Sequence, residues 1–194
     1  MRCERGVAAI AGLALASTAP GALAHTFGAA GAGFGAGVGH PFLGLDHLAA
    51  MVAIGVWAAQ AGWRPVWSVP LVFMAVMAFA ATLAFAGIAL PVVEAGIAAS
   101  LLVLGLLIAA AVRLPASAGA LIVAVFALFH GYAHGAEIPQ AAAPWLYAGG
   151  FLLATGLLHA AGIFAGRQWA ARRPWLARAA GLVLSAGGAW MLLG

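Results

Sequence analysis

Long apolar runs, broken by short stretches of Pro, Gly and Arg, set the rhythm of this chain. They predict helices near residues 40–60, 65–89, 92–113, 116–136, 144–166 and 174–193. Each is close to the ~20 residues that cross the hydrocarbon of a bilayer. Pro65, Pro91, Pro115, Pro144 and Pro174 fall near the helix starts, where a missing N–H costs no helical hydrogen bond. The connections are too short to hold a soluble domain. The expected fold is an all-α integral membrane bundle of about six transmembrane helices over residues 40–194. Gly181 with Ser185, Gly149 with Gly150, and Ala95 with Ala99 are candidate points of close helix packing.

The first residues follow a different pattern. Arg2 and Arg5 precede the apolar run "GVAAIAGLALA", and "ALAH" offers a small-residue cleavage site after Ala24. That order is expected of a secretory signal peptide. An ordinary first transmembrane helix is the alternative, but the run is short and Pro20 and Gly21 break it. Residues 1–24 are therefore assigned to a cleavable signal peptide. Cleavage removes the only cysteine, Cys3, and leaves no thiolate ligand or disulfide in the mature chain. His25 then becomes the first residue, pairing an α-amine with an imidazole. Residues 25–39 form a Gly-rich outer segment whose "GAAGAGFGAGVG" reads either as a linker or as a short re-entrant piece.

Composition supports the membrane class. Hydrophobic residues make up 66% of the 194 and charged residues 6%, with a mean hydropathy of +1.12. Soluble domains carry roughly 25% charged residues. The net charge of +4 comes from arginine, with no lysine. The arginines are too few and too scattered for a nucleic-acid surface. With the mature N-terminus outside, Arg64, Arg113, Arg167, Arg172, Arg173 and Arg178 all fall on the inner side. The outer segments 25–39, 90–93 and 137–143 hold none. The positive-inside rule accounts for the whole surplus.

With orientation fixed, the polar groups converge. His40 stands at the outer mouth of the first span, and Asp46 and His47 lie ~10 Å deeper at 1.5 Å per residue. On a continuous helix His40 and His47 share a face, with Met51 one turn below. The fourth span ends in "FHGYAHGAE", where His130 and His134 stand at i, i+4, the ligand spacing of metal-binding helices. Glu137 adds a carboxylate about one turn further, and Glu94 starts the third span at the same level. His159 lies deeper, toward the inner side, where a hydrogen-bonded packing role is the simpler reading. The methionines at 51, 74 and 77 read as core. Intramembrane ionisable groups mark ion or substrate paths by default, so His40, Asp46, His47, His130, His134 and Glu137 are assigned to a cation site, with His25, Glu94 and His159 as additional candidates. Imidazole with carboxylate and no thiolate suits Ni²⁺, Co²⁺ or Zn²⁺ better than Mg²⁺.

"HPFLGLDHLAAM" and "FHGYAHGAE" resemble the two signature segments of the HupE/UreJ family, H-x5-D-H and F-H-G-x-A-H-G-x-E. His40, Asp46 and His47 match the first, and Phe129, His130, Gly131, His134, Gly135 and Glu137 the second. The resemblance implies a secondary permease of the bacterial inner membrane, not an enzyme. Its cargo would be Ni²⁺, or Co²⁺, moving from the periplasm, with a functional link to hydrogenase or urease and no permanently bound cofactor. Two rivals remain open on residues alone. One is a membrane hydrolase holding zinc on His47, His130 and His134 with Asp46 as general base. The other is a sensor or chaperone that binds metal without moving it.

Overall fold

The computed structural model describes residues 33–138 and 143–194; the expected signal peptide and His25 lie outside them. Every regular element among the described residues is helical. They are α1 (Phe34–Gly39), a 3₁₀ turn (His40–Phe42), α2 (Leu45–Ala61), α3 (Ser68–Phe85), α4 (Val93–Ala109), α5 (Ala116–Ala136), α6 (Pro144–Arg172) and α7 (Pro174–Leu193). Helices α3, α5, α6 and α7 are long and apolar enough to cross a membrane. Residues Phe34–Phe42 and Leu45–Ala61 together make a fifth crossing, bent by 85°. Among the described residues four helices, or five with the bent pair, thus have the length and apolarity of a crossing where about six were expected, and the 17-residue α4 is a shorter apolar helix packed among them. Large apolar side chains such as Leu45, Leu121, Trp145 and Leu193 face outward, as a lipid-facing surface requires. The protein is a multi-pass helical membrane protein.

Helix ends follow local chemistry. Gly62 stops α2 in the left-handed conformation at φ 75°, which a residue with a Cβ adopts at a cost. Pro144 and Pro174 open α6 and α7. Lipid tails are as apolar as leucine, so helices associate by close packing over small residues. Three pairs do this: α3 with α5, α4 with α7, and α2 with α6. Gly131 and Gly135 of α5 lie directly on the α3 backbone at Met77 and Ala81. Gly162 and Gly166 of α6 lie on α2 at Val52 and Val56. In both pairs the residue numbers rise together, so the helices run parallel. Gly181 and Gly188 of α7 meet α4 at Ala109 and Ala98, an antiparallel pair. These directions agree with a chain that reverses from each helix to the next from α2 onward.

The start of the bundle departs from expectation. Gly37 of α1 sits against the backbone of Tyr147 on α6, and Gly150 of α6 against Phe34. Residues 34–39 are thereby packed into the bundle, whereas the sequence suggested a domain beginning at residue 40. The chain then turns rather than entering one helix. Pro41 supplies no N–H, Gly44 adopts an extended conformation (φ −107°, ψ 115°), and α2 begins only at Leu45. Indole N–H groups anchor the other end of α2. Trp57 donates to Val112 O at 3.0 Å and Trp63 to Leu114 O at 2.8 Å.

Candidate metal centre

The site lies where the break before α2 meets the C-terminal end of α5. The break overturns the expected shared helical face of His40 and His47, because the two residues belong to different elements. Both nevertheless reach His134 of α5. Its ring centroid lies 4.9 Å from that of His40 and 4.4 Å from that of His47. Gly131 and Gly135 make this possible. With no Cβ between them and α3, the helix lies close on that side and presents His130 and His134 inward, where both are buried.

Nearest the surface, His40, His134 and Glu137 form the one group of three or more potential ligands found among the described residues, with ligand atoms within 4.8 Å of one another. Nε2 of His40 lies 2.9 Å from His134 Nδ1 and 2.9 Å from Glu137 Oε2. A neutral His40 has at most one proton on that nitrogen, and the carboxylate accepts it. His134 Nδ1 therefore faces a hydrogen already engaged elsewhere. Three ligand atoms thus converge where a single proton serves them, and a cation there would satisfy all three. Glu137 caps α5 with its side chain 59% exposed, so the group opens to the surface. The hydrogen bond from His40 lowers the Glu137 pKa below its ordinary value, outweighing the opposing effect of partial burial.

Deeper in, hydrogen bonds fix which nitrogen of each imidazole is bare. His47 Nδ1 donates to Asp46 Oδ1 at 3.0 Å, so Nε2 carries the lone pair; it is buried with no partner. Ser100 of α4 donates its only proton to Ile97 O at 2.6 Å. The same oxygen lies 2.8 Å from His130 Nε2 and must accept from it. His130 Nδ1 is then the bare nitrogen, also buried and unpartnered. The two rings stand edge to face with centroids 4.9 Å apart. Buried polar atoms are rarely left unpaired. Imidazoles that donate one N–H to a carboxylate or another acceptor and keep the other nitrogen free have the form of metal ligands with their supporting shell.

Not every candidate belongs here. Glu94 is exposed in the first turn of α4, and the structure does not bring it into the ligand group of His40, His134 and Glu137. A helix-terminal acid beside the positive end of a helix is sufficient explanation. Met51 and Met77 are buried in the core, as expected. His159 is fully buried apart from the cluster, on α6. Three contributors had not been singled out. Ser100 is a lone buried hydroxyl in an otherwise apolar helix, which is a signal of a kind. Tyr147 and Phe151 of α6 pack edge-on against His40, and Phe151 also packs against His134; nothing in their local sequence marks them.

No solved structure matches the chain. The protein HupE of Rhizobium leguminosarum bv. viciae is 49% identical over 117 residues, covering 60% of this chain and 61% of that protein. The chain thus aligns with about three fifths of the length of that curated relative. The family described as HupE / UreJ protein matches residues 13–191, a span that takes in both histidine-bearing segments and every helix described above except the last two residues of α7. On that match the chain belongs to the HupE/UreJ family.

Proposed function

We propose that this protein is a secondary permease that carries Ni²⁺, with Co²⁺ as a second substrate, inward across the bacterial inner membrane. The observation that carries the proposal is the pair of bare imidazole nitrogens, His47 Nε2 and His130 Nδ1, buried beneath a His–His–Glu group that opens to the surface. An ion would arrive at Glu137 and His40, the exposed end, and exchange waters for His134 Nδ1. It would then pass to His47 and His130, whose ring centroids follow that of His134 at steps of 4.4 and 4.9 Å. Imidazole has the affinity for nickel and cobalt that carboxylate and water alone lack.

Charge decides whether the deeper step is feasible. A dication leaving water loses hydration that neutral rings only partly replace. Asp46 supplies the compensating charge through His47, strengthening that imidazole as a donor. An inside-negative potential favours inward movement of a dication by ~4.6 kcal/mol per 100 mV, twice the single-charge figure. The arginine-bearing loops favour the orientation in which the His–His–Glu group faces outward. Metal taken up in this way would serve nickel enzymes such as hydrogenase or urease, the link that the family resemblance suggests.

The test is ⁶³Ni²⁺ uptake in cells lacking their own nickel importers, comparing the intact protein with Asp46→Ala and His130→Ala at matched membrane abundance. Uptake that both substitutions abolish is expected. Uptake that survives both would remove the proposed path. No uptake of nickel or cobalt by the intact protein would refute the permease itself.

A further inference from the structure

His159 is the one histidine among the described residues that the path above does not use, and its surroundings are unusual for a packing residue. It is fully buried on α6. Its Nδ1 lies 2.7 Å from Met51 O. A carbonyl only accepts, so Nδ1 is the protonated nitrogen and Nε2 carries the lone pair. That lone pair is buried and has no partner. His159 thus shares its arrangement with His47 and His130: one N–H committed to an acceptor, the other nitrogen bare. Met51 itself is tied to α6, since Thr155 donates to its sulfur at 3.5 Å. Met51 is thus in contact with α6 through both its carbonyl, at His159, and its side chain, at Thr155 one turn earlier.

One buried side chain packs against both His159 and the outer cluster. The ring of Phe73 on α3, fully buried, has its centroid 5.8 Å from His130 and 5.5 Å from His159. Leaving Nε2 unpaired in this interior has a cost that an apolar side chain of similar size would avoid.

We propose that His159 Nε2 is an inner ligand for the transported cation, receiving it from His47 and His130 when the Phe73 ring turns aside. The proposal rests on the permease reading and adds a second station to it, beyond the two histidine-bearing segments. Phe73 then divides the path into an outer compartment with carboxylates and an inner one without, and the ion cannot occupy both sides freely while the ring is in place.

The experiment uses His159→Asn in the full-length protein. The shorter amide can still donate to Met51 O but has nothing at the position of Nε2, so a merely structural role is rescued and a ligand role is not. With intact protein that transports, the variant should reach the membrane at equal abundance and take up ⁶³Ni²⁺ about tenfold more slowly or worse, the loss typical of a weakened metal site. Ni²⁺ binding to the outer cluster in detergent should be unchanged. Uptake equal to that of the intact protein makes His159 a packing residue and overturns the proposal. A silent intact protein instead refutes the permease reading, and a second measurement then judges His159 without transport or a variant. In purified protein labelled with ¹⁵N-histidine, saturating diamagnetic Zn²⁺ must shift the unprotonated Nε2 resonance of His159. A resonance that Zn²⁺ leaves in place overturns the assignment in either case.

Discussion

Ser100 provides the sharpest test of how the site is organised, because it touches no metal and yet is said to decide which nitrogen of His130 is free. Its hydroxyl gives its proton to Ile97 O at 2.6 Å and accepts from His130 Nε2 at 2.8 Å, with both side chains fully buried. Ser100→Ala removes the acceptor and changes little volume. Two separate effects follow. The His130 N–H is left buried without a partner whichever nitrogen holds it, which costs about 1–3 kcal/mol of stability whether or not metal is bound. In addition, nothing now keeps the proton on Nε2. It can move to Nδ1, the nitrogen needed by the ion, and the ring loses the acceptor that raised its basicity. Loss of such a supporting partner weakens metal affinity by about 10–100-fold, or ~1.4–2.8 kcal/mol at 1.4 kcal/mol per tenfold. Ni²⁺ titration calorimetry in detergent, alongside thermal unfolding of the metal-free protein, reads the two effects independently. Lower stability with unchanged Ni²⁺ affinity would show that Ser100 only packs, and the assignment of His130 Nδ1 as a ligand atom would fall with it.

Two further outcomes are expected. Gly131→Ala drives a methyl group into the α3 backbone at Met77; overpacking of this kind costs about 1–3 kcal/mol, so its unfolding midpoint should drop while that of Gly149→Ala, whose added methyl meets nothing, should not. Glu137 should stay charged to more acidic pH than an ordinary glutamate, because the hydrogen bond from His40 lowers its pKa; a ¹³C NMR titration of the metal-free protein that puts the carboxylate midpoint at or above the ordinary value of about 4.5 would refute that contact.

Much of this architecture is legible in sequence for a physical reason. In a bilayer an apolar run of sufficient length has few alternatives to helix, so the span expected at 116–136 coincides with Ala116–Ala136 and that at 174–193 with Pro174–Leu193. Polar groups in such runs are costly, which singles out His47, His130 and His134. Helical periodicity is less useful where the chain leaves the helix. Pro41 and Gly44 break the first span, so the reasoning that put His40 above His47 on one face fails, although both residues still reach His134. Glu94 is a different case, since a depth expected from sequence does not by itself say which side chains share a ligand group.

The deeper limit concerns protons. Sequence shows that an imidazole is present; it cannot show which nitrogen is bare, because that depends on an acceptor supplied by another helix or by an irregular turn. For His130 the acceptor is a serine of α4, thirty residues away; for His159 it is a main-chain carbonyl of α2, which no residue identity could reveal. His47 is the exception, because its acceptor is the adjacent Asp46, and the dipeptide therefore announces its own chemistry. A permease of this design needs several bare nitrogens in file, each held in one tautomer by a different acceptor. If that is the organising rule, substitutions at the acceptors should impair metal handling nearly as much as substitutions at the ligands. The sites most sensitive to mutation would then spread over α2, α4 and α6 rather than ending with the two histidine-bearing segments.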